Sequence, residues 1–101
     1  MIAVLFEVKP KAGAMVSYLD LSEALKQSLG KIEGFISVER FQSLVEPEKY
    51  LSLSYWENES AIKEWKTNLK HQSAQKKGKE ELFNFYRIRV ATVLREYDSE
   101  S

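Results

Sequence analysis

The apolar residues of this chain change period four times, and that alternation leaves few folds open to it. Over residues 2–9 two alternating sets, Ile2/Val4/Phe6/Val8 and Ala3/Leu5/Glu7/Lys9, are both partly apolar, as expected for a strand covered on both faces. Residues 10–13 make a turn through Pro10 and Gly13. The spacing then shifts to three and four: Met15, Tyr18, Leu19, Ser22, Leu25 and Leu29 describe one stripe of an amphipathic helix over 14–29, with Gly30 at its C-cap. Gly34 opens a second strand over 35–43. A polar turn around Pro47 follows, and Tyr50–Trp56 returns as the other arm of an antiparallel hairpin. Asn58 is placed to cap the next helix, whose stripe is Ala61, Ile62, Trp65 and Leu69. Asn68 marks a break, with a second helical stretch expected over 69–85. Residues 87–97 alternate again as a last strand, and 98–101 form a polar, frayed tail.

The order βαββαβ is the ferredoxin-like split βαβ arrangement, an α+β class in which two helices cover one face of a four-stranded antiparallel sheet. One domain spanning residues 1–97 accounts for the chain. The uncovered sheet face is itself rich in apolar groups, because Val90, Ala91, Val93 and Leu94 supply both sides of the last strand. Removing such surface from water yields roughly 25 cal/mol per Å². A second copy packed face to face is the natural cover, so a homodimer is expected.

Composition excludes several functions. Fifteen basic residues balance fifteen acidic ones, which leaves no electrostatic footprint for nucleic acid. The basic run of Lys66, Lys70, Lys76, Lys77 and Lys79 is interleaved with glutamates and reads as a solvated helix face. No cysteine is present, so there is no disulfide, thiolate nucleophile or thiolate metal site. No apolar run approaches the ~20 residues of a membrane span, and the first residues lack the basic start of a signal peptide. A cytoplasmic location is expected.

Candidate chemistry is concentrated in one stretch. Both tryptophans and the single histidine fall within residues 56–71. His71, with an unperturbed pKa near neutrality, is the default general base, against an exposed or capping role in its polar, lysine-rich segment, and Gln75 shares its helix face if that helix is continuous. Trp65, on the apolar stripe of its helix, reads as packed core ahead of the wall of a ligand pocket, and Trp56 as packing or dimer surface. Arg89 could meet an anionic substrate oxygen, or it could pair, like Arg87, with Glu7 or Glu39 across the sheet. Phe6 and Tyr86 complete the candidate contacts. A lone histidine without cysteines or paired carboxylates gives no metal site.

The residues resemble the antibiotic biosynthesis monooxygenase superfamily over nearly the whole chain. The anchors are Gly34-Phe35, the run from Leu51 through Ser54 to Tyr55-Trp56-Glu57, then Ala61 and Trp65. They continue through His71-Gln72-Ser73-Ala74-Gln75 with Gly78, and Tyr86 through Ala91. The resemblance implies a dimeric α+β barrel and a pocket between helices and sheet, reached by Trp65, for a flat aromatic ligand. In cofactor-independent members a deprotonated phenol or hydroquinone itself passes electrons to O2, with no flavin or metal. With the pocket that the resemblance implies, the leading reading gives His71 and Trp65 the catalytic role, places Phe6, Gln75, Tyr86 and Arg89 around the substrate, and needs no cofactor. Haem-degrading members resemble one another in a first-strand Asn, a Trp on the second helix and a His further along it. This chain matches only Trp65: Glu7 and Gln75 fall at the other two places and His71 comes too early, so haem is the lesser reading. Quinone-forming members often carry an Asn one turn before the Trp, where this chain has Ala61. A non-catalytic small-molecule-binding or stress-response module on the same fold is the alternative function.

Overall fold

The computed structural model describes residues 1–75 and 83–100, with the side chains at 15, 17, 21, 25, 68–75 and 83 outside that description. Six elements follow in the expected order: β1 (Ile2–Pro10), α1 (Met15–Leu29), β2 (Phe35–Gln42), β3 (Tyr50–Trp56), α2 (Glu59–Gln75) and β4 (Phe83–Thr92). The four strands form one antiparallel sheet in the order β2-β3-β1-β4. This is the ferredoxin-like topology read from the alternation of periods.

The barrel implied by the family resemblance is not what these strands make. Among the described residues β2 and β4 each have a neighbour on one side only, so the sheet is open. Closure needs tilt, stagger and about eight strands around a filled interior, and four strands of this length do not supply it.

Register assigns every strand residue to a face, because cross-strand partners share a side and neighbours along a strand alternate. Val4 lies beside Ser54 and Val90, and Val8 beside Tyr50 and Tyr86. Val4 is fully buried and packs with Leu29 at the end of α1, with Ile32 just after it, and with Ala61, Ile62 and Trp65 of α2. That side is the helix face. Val8 forms a second, smaller cluster with Tyr18 of α1, against Phe6 and Tyr50. The outer face carries Ala3, Leu5 and Glu7 of β1 beside Tyr55, Leu53 and Leu51 of β3.

Several local expectations are corrected. α2 runs unbroken through Asn68 to Gln75, since one Asn costs a helix well under ~1 kcal/mol relative to Ala. Phe83 and Phe85, expected in a helix, belong to β4, which ends at Thr92 rather than at 97; the rest of that second helical stretch lies outside the described residues. In α1, Leu19 is exposed while Tyr18 and Leu29 are buried, so the stripe is narrower than its spacing suggested. Gly30 stays right-handed, with φ −62°. The positive φ falls instead at Gly34, φ +95°, where an added Cβ would meet the Ala61 Cβ at 3.1 Å. The chain thus turns into β2 directly against the first turn of α2. Asn58 caps that turn as expected, its Oδ1 accepting from the Ala61 N–H at 3.0 Å.

Candidate functional site

The sheet sorts the candidate residues. Trp56 closes β3 on the helix face, 0% exposed, and its Nε1 donates to the Ser54 Oγ at 2.8 Å. Its ring meets Phe35 edge-on at 5.2 Å and Trp65 at 6.0 Å, tilted by 48°. Trp65 is 7% exposed. The two tryptophans are therefore one aromatic column linking β2, β3 and α2, and Trp56 has the packing role that was one of its two readings. Burial of that column fixes α2 over the Ile2 end of the sheet.

Phe6 and Tyr86 come together on the same helix face, ring centroids 6.2 Å apart and tilted by 57°. Phe6 is half-buried while Tyr86 is 45% exposed and Val90, four residues along β4 on the same face, is 44% exposed. The helix side of the β1/β4 half thus presents an aromatic and aliphatic floor, with the Trp56–Trp65 column at one end.

Arg89 does not join this group. It lies opposite Leu5 on the outer face, with Arg87 opposite Glu7. Arg87 donates to Glu7 Oε2 through Nη2 at 2.6 Å and Nε at 3.1 Å. Arg89 Nη1 lies 3.6 Å from Oε1, and Lys49 Nζ 3.8 Å from Oε2. The Arg87 hydrogen bond, reinforced by the Arg87, Lys49 and Arg89 charges and opposed by partial burial, holds the Glu7 carboxyl below its usual pKa of 4.5. Of the two partners read for these arginines, Glu7 is the one used. Glu39 makes no ion pair among the described residues.

His71 and Gln75 both lie in α2, whose continuity puts them on a shared face. At 3.6 residues per turn, position 71 falls about 120° around the axis from Trp65 and position 75 about 80°, to the same side. Position 72 falls within about 20° of Trp65. That position, signalled by its i+7 spacing, was not among the candidates read from the sequence. Tyr18, also outside the candidate set, is buried on α1 with Ser22 as its hydroxyl's partner, and burial raises its pKa above 10.0. Among the described residues no group of three or more His, Cys, Asp or Glu could hold a metal. Nor is any helix there long and apolar enough to cross a membrane.

An open antiparallel sheet with helices on one side and an aromatic floor beneath them defines the class. Residues 1–77 match the family model for antibiotic biosynthesis monooxygenase, and the chain belongs to that family. It is 38% identical over 93 residues to the "Jasmonate monooxygenase ABM" of Pyricularia oryzae, covering 92% of this chain but only 43% of the fungal protein. The fold is similar to that of Rv0793 from Mycobacterium tuberculosis, with a TM-score of 0.79 at 16% identity over 96% of this chain and 98% of the other. It is also similar to that of the haem degrader MhuD from the same organism, solved with two haems in its active site. There the TM-score is 0.72 at 12% identity, over 97% of this chain and all of the other.

Proposed function

We propose that this chain is a cofactor-independent monooxygenase, acting as a homodimer on a small ring compound that is acidic enough to lose a proton. The observation that carries the reading is the half-exposed Tyr86 against Phe6, a floor on which a flat ring stacks, with Trp65 at its end and the buried Trp56 packed behind. The fungal relative's activity toward jasmonate supports the same reaction class, and makes jasmonate one compound to test beside phenols and hydroquinones.

In this mechanism the ring lies on Phe6 and Tyr86 and the apolar walls exclude water, which strengthens every polar interaction inside. His71 accepts the phenolic proton, and Gln75 orients the imidazole or the ligand. The resulting anion gives electrons to O2. For an activated CH2, one oxygen atom replaces the two hydrogens as a carbonyl and the other leaves with them as water, so the substrate carbon supplies all four electrons that reduce O2 and the atoms balance. Arg89, on the outer face with Glu7, has no part in these steps.

Haem has less to support it. Glu7, at the place of the first-strand Asn, faces away from the helices and is engaged by Arg87, while the helix-face positions on either side are the apolar Phe6 and Val8.

The test is oxygen uptake with a panel of hydroquinones, anthrone-type phenols and jasmonate. Uptake above buffer, abolished or reduced about tenfold or more by His71→Ala, is expected. No uptake across the panel overturns the oxygenase; uptake untouched by His71→Ala overturns the base. The homodimer is read from the outer face, where Leu5, Leu51, Leu53 and Tyr55 have no helix over them among the described residues; a monomeric mass in solution overturns that part.

A further inference from the structure

The outer face carries a charge pattern that chooses between two ways of stacking a second copy on it. One rung crosses all four strands: Glu39 on β2, Leu53 on β3, Leu5 on β1 and Arg89 on β4. Its ends are opposite charges on opposite edges, and its middle is apolar. Glu39 makes no ion pair among the described residues. Arg89 sits at the margin of a cluster in which Arg87, Lys49 and Arg89 outnumber the single carboxylate of Glu7. On the outer face the β2 edge thus carries a carboxylate, since Arg40 of the same strand turns to the helix face over the Tyr18 ring, and the β4 edge has positive charge to spare.

Two face-to-face sheets related by a two-fold axis can be oriented in two ways. With the axis running along the strands, β2 of each copy lies over β4 of the other, and Glu39 faces the partner's Arg89 twice. With the axis running across the strands, β2 lies over β2, so Glu39 meets Glu39 and Arg89 meets Arg89. Like charges directly juxtaposed cost several kcal/mol. From this rung we infer that the second copy docks with its two-fold axis along the strands, its register fixed by two symmetric Glu39–Arg89 pairs flanking the Leu5/Leu53 centre. The inference rests on the homodimer reading above.

Geometry permits the pairs. Packed sheets lie about 10 Å apart and are rotated by about 30°. At an edge strand, about 7 Å from the sheet centre, that rotation shifts the partner by about 4 Å, within the span of an extended arginine and glutamate. At the end of the sheet Lys9 and Lys49 would approach their counterparts, but each is already matched by a glutamate of its own chain, Lys9 by Glu46 at 3.2 Å and Lys49 by Glu7. The apolar centre supplies the attraction, and the charged edges supply orientation.

Charge reversal tests the arrangement by sedimentation or light scattering across a dilution series. Glu39→Arg alone sets a guanidinium against Arg89 at both ends of the rung and is expected to raise the dimer dissociation constant about tenfold or more. Arg89→Glu does the same by setting two carboxylates against each other at both ends. Mixing the two single variants restores opposite charges at each contact, so a heterodimer of wild-type affinity is expected, as it is for the double variant with itself. Circular dichroism melts show that each variant is folded; should Arg89→Glu fail through its loss of Glu7, Glu39→Arg and Glu39→Gln still decide. Dimerisation indifferent to both reversals overturns the orientation while leaving the homodimer standing. A wild-type chain that stays monomeric at every concentration overturns the homodimer itself.

Discussion

Among the charged side chains Glu7 has three cations converging on one carboxylate, at distances from 2.6 to 3.8 Å. Its folded pKa is below the usual 4.5, so it contributes stability at pH above the unfolded value and loses that contribution as pH falls through the folded one. Glu7→Gln is therefore expected to lower the midpoint of thermal unfolding at pH 7, by the equivalent of about 1 kcal/mol for a partly exposed pair. The gap between variant and wild type should close at acid pH, and an equal gap at pH 7 and below about pH 4 contradicts the assignment. Trp56 offers a second check. Its Nε1 donates to Ser54 Oγ, both groups buried. Trp56→Phe keeps a ring but strands the hydroxyl, at a cost of about 1–3 kcal/mol for the unsatisfied group. Ser54→Ala in that background removes the orphan and should recover part of the loss, with a coupling of about 1 kcal/mol in a denaturant-unfolding cycle. Additive effects would show that the bond contributes nothing.

At the scale of elements, the join between β2 and α2 has the tightest packing constraint. Gly34 and Gly13 both have positive φ, but a Cβ at Gly13 meets nothing within 4 Å while one at Gly34 would lie 3.1 Å from Ala61 Cβ. Gly13→Ala measures backbone strain alone, about 1–2 kcal/mol. Gly34→Ala adds displacement of α2 against the Trp column, so its loss in urea unfolding should be larger; equal losses would mean that α2 yields freely. The sequence located these elements where one period prevailed. The alternation of Tyr50–Trp56 matched β3 to the residue, and Asn58 announced the cap. It failed at Phe83 to Tyr86, where Phe83 and Phe85 alternate about Asn84 as in a strand while Phe83 and Tyr86 also stand at the helical spacing of three, and position along the chain favoured the wrong one. The site was legible in the same measure. Alternation separates Phe6 and Tyr86 from Arg87 and Arg89, but whether an odd or even set faces the helices depends on pairing that no local pattern contains. His71 carries its chemistry in its identity, whereas its angle from Trp65 depended on whether the helix broke at Asn68.

For the whole molecule, the two faces of the sheet do different work. The helix face contains every residue of the main core cluster drawn from the strands, Val4 and Trp56 included, and it closes on α1 and α2 without help from the outer face. A polar group placed at the centre of the outer face should therefore leave the fold in place and act on association. Leu53, between Leu5 and Glu39 on its rung, is that centre. In Leu53→Lys the ammonium would have to be buried against the partner's apolar strands, a cost of several kcal/mol per unpaired ion, set against about 2 kcal/mol from one buried leucine. Loss of the dimer at micromolar concentration is the expected outcome, with the far-ultraviolet spectrum unchanged. Thermal unfolding gives the second reading. The wild-type midpoint should rise with protein concentration, because only the folded chain binds its copy, and the Leu53→Lys midpoint should not. A variant that unfolds outright would show instead that the outer face is part of the core, and a variant that still dimerises would place the interface on another surface of the molecule.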